Sequence, residues 1–506
     1  MSEAIASLYA LLVERAPSPD KPLLIRPDGR ALSYGEAHAL AGRLARVLAD
    51  AGAVVGDRIA VRADKSPEAL VLYLACLRGG FVFLPLNTAY TDDELAYLIG
   101  DADPRVIVCR PEDLAGLTPL GERAGAVVLT LAADGTGSLM ERLAQQGEVL
   151  APAELSPDAL AAMLYTSGTT GKPKGAMLTQ DNLAANGLAL IEAWRFCDDD
   201  VLLHALPIFH AHGLFVACHT VMLAGGSVLW LPGFDKDTVL DLLPRATVFM
   251  GVPTFYTRLL GDDRLTAERV AGIRLFVSGS APLLAETHRA FFERTGKAIL
   301  ERYGMTETGM NTSNPYDGER RPGAVGPALP GVSVRIVGED GAALPEGAVG
   351  DVQVKGRNVM KGYWKLPEKT REEFTQEGWF KTGDVGRLDP DGYLVLVGRA
   401  KDLIISGGYN VYPKEVEDVI DALPGVIESA VIGVPHPDFG EVGVVLVTSR
   451  GGIDEAAILA HCKAHLANYK VPKKAFFTVD LPRNTMGKVQ KALLRERYKG
   501  LFMASS

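Results

Sequence analysis

A chain of 506 residues is long enough for more than one domain and a large buried core. With 47% hydrophobic and 23% charged residues and no low-complexity tract, its composition is that of an ordinary globular protein. The formal net charge of -10 argues against general nucleic-acid binding, which needs a basic surface to displace counterions.

Cys76, Cys109, Cys197, Cys218 and Cys462 are scattered without paired spacing and read as reduced residues of a cytosolic protein. Met1-Ser2-Glu3-Ala4-Ile5-Ala6 has no basic region leading into a long apolar run, so no secretory signal is expected. The most apolar stretch, about 202–231, is interrupted by His204, Pro207, His210, His212 and His219, and is too polar for a membrane span. A cytoplasmic location without a membrane partner is expected. The last stretch is basic, with Lys470, Lys473, Lys474, Arg483, Lys488, Lys491, Arg495, Arg497 and Lys499. On charge alone it reads as a solvated face.

Ser33 and Glu36 have capping-box spacing ahead of a helix over 37–45, which Gly52 ends. A strand at 58–62 follows, then a helix opened by Ser66 and Pro67, a strand at 81–84, a helix capped by Thr91 and Glu94, and a strand at 105–108. This alternation predicts an α/β fold with largely parallel sheets. From about Gly323 the texture changes to short strands with Gly/Pro turns, as at 332–337 and 352–355. Another shift follows Gly398-Arg399-Ala400-Lys401-Asp402, beyond which a compact α/β unit of domain size is expected.

Five segments carry chemistry. Thr166-Ser167-Gly168-Thr169-Thr170-Gly171-Lys172-Pro173-Lys174-Gly175 lies between a strand at 160–165 and a helix start at 180–186. Its glycines free backbone N–H groups to turn inward, its hydroxyls add donors and its lysines add charge, as a bound polyphosphate requires. Thr166 and Pro173 exclude the Walker pattern. In Arg302-Tyr303-Gly304-Met305-Thr306-Glu307-Thr308, a hydroxyl and a carboxylate suit magnesium held against a triphosphate; alone, the segment would read as a capped helix start. Asp384 in Trp379-Phe380-Lys381-Thr382-Gly383-Asp384 could grip a ribose diol or be an ordinary turn residue. Arg399 and Lys401 precede the glycine pair of Ser406-Gly407-Gly408-Tyr409, a charged hinge beside a flexible turn. Pro482-Arg483-Asn484-Thr485-Met486-Gly487-Lys488 ends in a lysine on a glycine turn. His210, His212, Cys218 and His219 lack a four-ligand zinc spacing. Glu415 and Glu417 look like surface carboxylates of a helix.

In this order the motifs resemble those of the adenylate-forming superfamily of acyl-CoA synthetases, peptide-synthetase adenylation domains and luciferases, over essentially the whole chain. Glu301-Arg302-Tyr303-Gly304-Met305-Thr306-Glu307, Asn311-Thr312-Ser313 and the segment ending at Lys488 look most like the bacterial malonyl-CoA synthetases. The resemblance implies an ATP- and acyl-binding N-terminal domain over 1–400, built of parallel-type sheets with helices plus a β-rich subdomain. A small mobile α/β domain over 401–506 would carry the catalytic lysine. It also implies two half-reactions at one site. A carboxylate attacks the α-phosphate of magnesium ATP, giving acyl-AMP and pyrophosphate. The small domain then swings about its hinge, and the thiol of coenzyme A displaces AMP.

By matching position, Thr166, Ser167, Gly168, Thr169, Thr170, Gly171 and Lys174 would cradle the phosphates, and Thr306 and Glu307 would hold the α-phosphate and Mg2+. Ser280, Ala281, Pro282 and Tyr303 would line the adenine pocket, and Asp384 and Arg399 would bind the ribose. Gly407 and Gly408 would line the pantetheine tunnel, and Lys401 would be the hinge. Lys488 would reach the attacking carboxylate and the α-phosphate, where an ammonium offsets charge built as one anion attacks another. His210 would flank the acyl channel. A lysine acetyltransferase acting on Lys488 is a further expected partner.

Relatives that take fatty or aromatic acids need an apolar acyl pocket. Here Gly251-Val252-Pro253-Thr254-Phe255-Tyr256-Thr257-Arg258 ends in arginine, and Arg302 precedes Tyr303. An arginine in a substrate pocket implies an anionic group, which a guanidinium can hold through two parallel hydrogen bonds. Pairing of Arg258 with Asp262 or Asp263 is the alternative. With Ser280, both arginines match malonate-contacting positions of the resembled enzymes, so malonate is expected, with methylmalonate tolerated. Acetate or propionate is the second choice. A nucleotide-binding sensor or scaffold would not need the hinge or Lys488.

Overall fold

The computed structural model describes residues 4–166, 172–484 and 487–502. The expected N-caps are present. Ser33 and Glu36 close a capping box on helix Tyr34–Asp50, and Thr91 and Glu94 do the same on Asp92–Ala102. Ser66 caps Pro67–Gly79 with proline at its first turn. That helix is apolar on almost every side because it is buried on almost every side, within the core that packs against both large sheets.

One sheet has eight strands. Val201–His204, Ser227–Trp230, Val248–Gly251, Leu275–Ser278 and Ile299–Met305 run parallel in its centre, and Gly309–Ser313 turns back antiparallel at one edge. The second sheet has seven strands. Its parallel centre is Arg58–Arg62, Val82–Pro85, Val106–Cys109, Val127–Thr130 and Leu160–Thr166, and Lys174–Thr179 pairs antiparallel with the last of these. The β-rich texture after Gly323 becomes a four-stranded antiparallel sheet: Val332–Val337, Gly350–Gly356, Phe380–Leu388 and Leu394–Arg399.

A small C-terminal domain follows. Its sheet is built on the long antiparallel pair Val426–His436 and Gly440–Ser449. Helices Pro413–Asp421 and Glu455–His465 cover one apolar face, and Lys491–Tyr498 covers the other. The expected solvated basic face is in part an ion-paired one: Lys470, Arg483, Lys491 and Arg495 pair with Glu415, Glu428, Glu417 and Asp402. Glu417 is not the expected surface residue. It is 8% exposed, because its carboxylate also accepts the Val431 amide at 2.8 Å. Cys197 is exposed, whereas the other four cysteines are buried. Among the described residues no helix is long and apolar enough to cross a membrane.

Candidate active site

Strand Ile299–Met305 ends where the two large sheets and the antiparallel sheet converge. Its alternation sends Arg302 and Tyr303 to opposite faces. On one side the Tyr303 hydroxyl donates to Asp384 Oδ2, and Arg399 Nε lies 2.6 Å from Asp384 Oδ1. Asp384 and Arg399 are direct cross-strand partners, so the ladder itself sets this pair. The Thr382 hydroxyl accepts the Asp384 amide at 3.0 Å. Burial, and then the Asp384 charge, raises the Tyr303 phenol well above its ordinary pKa, which keeps it a donor. A carboxylate fixed in this way can accept the two hydroxyls of a ribose.

On the other side Arg302 is 5% exposed, and its Nε and Nη2 are buried without a hydrogen-bond partner. Burial lowers its pKa to about 9. A methyl group on Gly279 would stand 2.2 Å from the guanidinium carbon, so any side chain there would push Arg302 out of this position. His212 Nδ1 lies 3.1 Å from Ser280 Oγ, and His212 Nε2 is buried without a partner. Ser280 holds φ at +71°, a strained value for a residue with a side chain. His210 is half-buried and receives the His212 amide at 3.2 Å. Burial and then the Arg302 charge lower both imidazoles, His210 to about 4, so both are neutral at pH 7. The pocket thus offers donors and positive charge, and Arg302 has no acidic counterpart among the described residues.

Thr306 and Glu307 sit in the hairpin turn between Ile299–Met305 and Gly309–Ser313, not at a helix start. Glu307 Oε1 accepts from the Thr166 hydroxyl and from the Tyr363 hydroxyl, each at 3.1 Å. Lys174 Nζ lies 4.3 Å from the Tyr363 ring centroid. Thr166, Lys174, Thr306 and Glu307 therefore meet at one corner; Ser167, Gly168, Thr169, Thr170 and Gly171 lie outside the described residues. Among those described, no three His, Cys, Asp or Glu side chains converge as a metal cage. Magnesium does not need one: a single carboxylate with substrate phosphates and water suits it, and Glu307 beside the Thr306 hydroxyl fits that pattern. Of the residues weighed for zinc, Cys218 lies 3.6 Å from His204 Nε2, and His219 Nε2 lies 2.6 Å from the Tyr73 hydroxyl.

Lys488 comes from the C-terminal domain. The residue is exposed at the surface, yet its ammonium stands in the field of Arg399, Asp384, Lys401 and Asp402, and crowding by surrounding protein followed by the Arg399 charge lowers its pKa. A methyl group on the preceding Gly487 would stand 3.6 Å from the Thr254 side chain, which places this turn against helix Pro253–Leu260. Arg258 is exposed one turn beyond Thr254 on the same helix face. It has no acidic partner among the described residues. Asp262 pairs instead with Lys236 and Arg264, and Asp263 approaches Arg294 at 3.8 Å. Gly407 and Gly408 form an exposed turn at φ +57° and +84°. Ala281 is half-buried and Pro282 exposed beside Ser280. Sequence reasoning missed Tyr363, which supports both Lys174 and Glu307, and favoured His210 over His212. The only sequence signal for His212 is its spacing of two from His210.

Residues 13–364 match the AMP-binding enzyme family, and residues 415–488 match the AMP-binding enzyme C-terminal domain. The chain belongs to the AMP-binding enzyme family. Among solved AMP-binding structures it is similar to ATP-bound MatB from Rhodopseudomonas palustris, with 56% identity, a TM-score of 0.96, and coverage of 98% of this chain and 100% of that one. The apo form of the same protein gives 0.86. The chain is also 38% identical to a sulfoacetate–CoA ligase of Cupriavidus necator, over 97% of its own length and 98% of the relative's. A mouse mitochondrial malonate–CoA ligase is 35% identical, over 88% and 83%. This AMP-binding enzyme is an acid–CoA ligase.

Proposed function

We propose that the enzyme converts malonate, ATP and coenzyme A to malonyl-CoA, AMP and pyrophosphate through malonyl-AMP, and that it tolerates methylmalonate. The observation that carries this reading is the buried guanidinium of Arg302, whose Nε and Nη2 have no protein acceptor. Burying an arginine unpaired is costly, so the site is built for an acceptor that arrives with the substrate. Malonate has two carboxylates: one becomes the mixed anhydride, and the other supplies that acceptor. Ser280 and His212 add hydrogen-bonding groups on the same side, and the exposed Arg258, which has no acidic partner among the described residues, is a second cation free to pair with the acid. Acetate or propionate would leave Arg302 unpaired. A sulfonate would also satisfy an arginine, in line with the likeness to a sulfoacetate–CoA ligase, while the likeness to the mouse malonate–CoA ligase supports malonate.

In the first half-reaction Asp384, with Arg399 and Tyr303, orients the ribose beside the adenine pocket at Ser280, Ala281 and Pro282. Thr166, Lys174 and Glu307 flank the triphosphate. Magnesium, when bound with the triphosphate, supplies charge neutralisation, and Thr306 and Glu307 are the residues to hold it. The lowered pKa and mixed-charge surroundings of Lys488 suit an ammonium that meets negative charge only when nucleotide and acid are present. In the second half-reaction the domain beyond the hinge at Lys401 turns, and Gly407 and Gly408 replace Lys488 at the site.

The test is pyrophosphate release with malonate, methylmalonate, succinate, sulfoacetate, acetate and a medium-chain acid, each with and without coenzyme A. Malonate should lead by kcat/KM, and a preference for acetate or the medium-chain acid would overturn the reading.

A further inference from the structure

We propose that Arg483 and Glu428 form a brace that sets the position of Lys488 for adenylation. This rests on the role given to Lys488 above.

Lys488 leaves a hairpin in which Arg483 and Val489 are antiparallel partners. The Asn484 amide donates to the Lys488 carbonyl at 2.9 Å, the Lys488 amide donates to Asn484 Oδ1 at 3.0 Å, and the Gly487 amide donates to the Asn484 carbonyl at 2.9 Å. These bonds close the turn on itself but do not fix it to the rest of its domain.

Arg483 makes that connection. Its Nη1 donates to the Gly487 carbonyl at 2.6 Å, and its Nη2 donates to the Glu428 carboxylate. The Gly487 carbonyl belongs to the peptide unit that leads into Lys488. Gly487 sits at φ +76° and, having no side chain, offers little resistance to rotation of that peptide. The guanidinium holds the carbonyl in one direction, which selects the direction in which the Lys488 side chain departs. Glu428 lies in Val426–His436, where it pairs with Thr448 of Gly440–Ser449 next to a register irregularity at Val426/Glu428, so the brace ends on the central strand pair of the domain.

The surroundings explain why an arginine is needed. Burial raises the pKa of Glu428, and the nearby carboxylates of Glu417 and Asp480 push it the same way. Arg483 is the cation that opposes them. A guanidinium can bond a carboxylate and a carbonyl at once through separate nitrogens, and in this turn it does both. The bonds of Arg483 run to the Gly487 carbonyl and the Glu428 carboxylate, so the pair acts through Lys488 and both are positioning residues. Their effect should be confined to the half-reaction that uses Lys488.

The experiment separates the two half-reactions in the full-length enzyme. ATP–pyrophosphate exchange with malonate reads adenylation, and thioester formation from preformed malonyl-AMP and coenzyme A reads the second step. Arg483→Met should lower the exchange kcat by roughly 10- to 100-fold, the range expected when a catalytic group is displaced by about 1 Å, with KM for ATP unchanged. Its thioester step should run at the wild-type rate. Glu428→Gln keeps an acceptor but loses the charge, and should show the same split with a smaller loss. Wild-type exchange in both variants, or equal loss in both half-reactions, would overturn the brace. Lys488→Ala is measured alongside. If it exchanges normally, the Lys488 reading falls and the brace with it. If it is inactive while Arg483→Met is normal, only the brace falls.

Discussion

Arg302 and Tyr303 are neighbours in one strand and serve opposite sides of it. Arg302 lies unpaired over Gly279 beside Ser280 and His212, while Tyr303 donates to Asp384 across the antiparallel sheet. A period-two strand thereby places the proposed acid pocket and ribose site within one residue of each other, and a shift of one residue would exchange them.

Lys488→Ala should abolish malonyl-AMP formation and leave much of the second half-reaction. Its ammonium stands in the field of Asp384 and Arg399, as the role proposed for it in adenylation requires. Losing one preorganised donor costs about 10²–10³ in rate, and a full charge can cost more. Supplying malonyl-AMP and coenzyme A to the variant checks this: equal loss in both steps contradicts the role.

Arg302→Met should lower kcat/KM for malonate by several orders of magnitude while acetate turnover holds or rises. Replacing a buried unpaired cation with an apolar side chain should also stabilise the apo protein, by about 1–4 kcal/mol if it behaves as buried ion pairs do. Thermal melts with and without malonate test both halves together. A variant that melts lower and keeps its malonate preference would sink the assignment. Arg258→Ala should shift the malonate-to-butyrate ratio in the same direction. Its effect should be smaller, because an exposed guanidinium gains less from pairing.

What the sequence disclosed was set locally or by order. The caps at Ser33, Ser66 and Thr91 follow from short-range hydrogen bonding, and the parallel sheets follow from helix–strand alternation. The pairing of Asp384 with Arg399 was expected only as a shared ribose role, and the strand register supplies the reason. Contacts between distant segments were not legible. Glu417 looked like a surface residue because its partners, Lys491 and the Val431 amide, come from other elements. Tyr363 carries no motif, yet it joins Lys174 to Glu307 through 189 and 56 residues of sequence separation (363 − 174 and 363 − 307).

Lys401→Pro should spare adenylation and collapse thioester formation. Lys401 is the centre of the short turn Ala400–Asp402, whose backbone bond runs from the Leu403 amide to the Ala400 carbonyl. Proline at 401 removes no donor from that bond but fixes φ at the proposed pivot. Asp402 is tied to Arg495 at 2.7 Å, which joins the far side of the proposed pivot to the C-terminal domain. Normal malonyl-CoA synthesis by the variant would move the hinge elsewhere.

Glu301→Gln should flatten the pH dependence of stability. Glu301 is 6% exposed on the Tyr303 face of its strand, and its Oε1 accepts the Gly323 amide at 3.2 Å. Burial raises its pKa from 4.5 to about 8; the Gly323 bond and the charge of Lys414 oppose that rise without cancelling it. The native state therefore holds a proton that the unfolded chain releases above its ordinary pKa. Stability from this group is fully present below pH 4.5 and is lost as pH rises toward 8, at about 1.4 kcal/mol per pH unit within that window. Glutamine keeps an oxygen for the Gly323 amide and removes the titration. Melting temperatures of variant and wild type should agree near the acid end of the window and separate toward its alkaline end, with the variant higher. Parallel curves across the window would show that Glu301 is ionised in the folded protein.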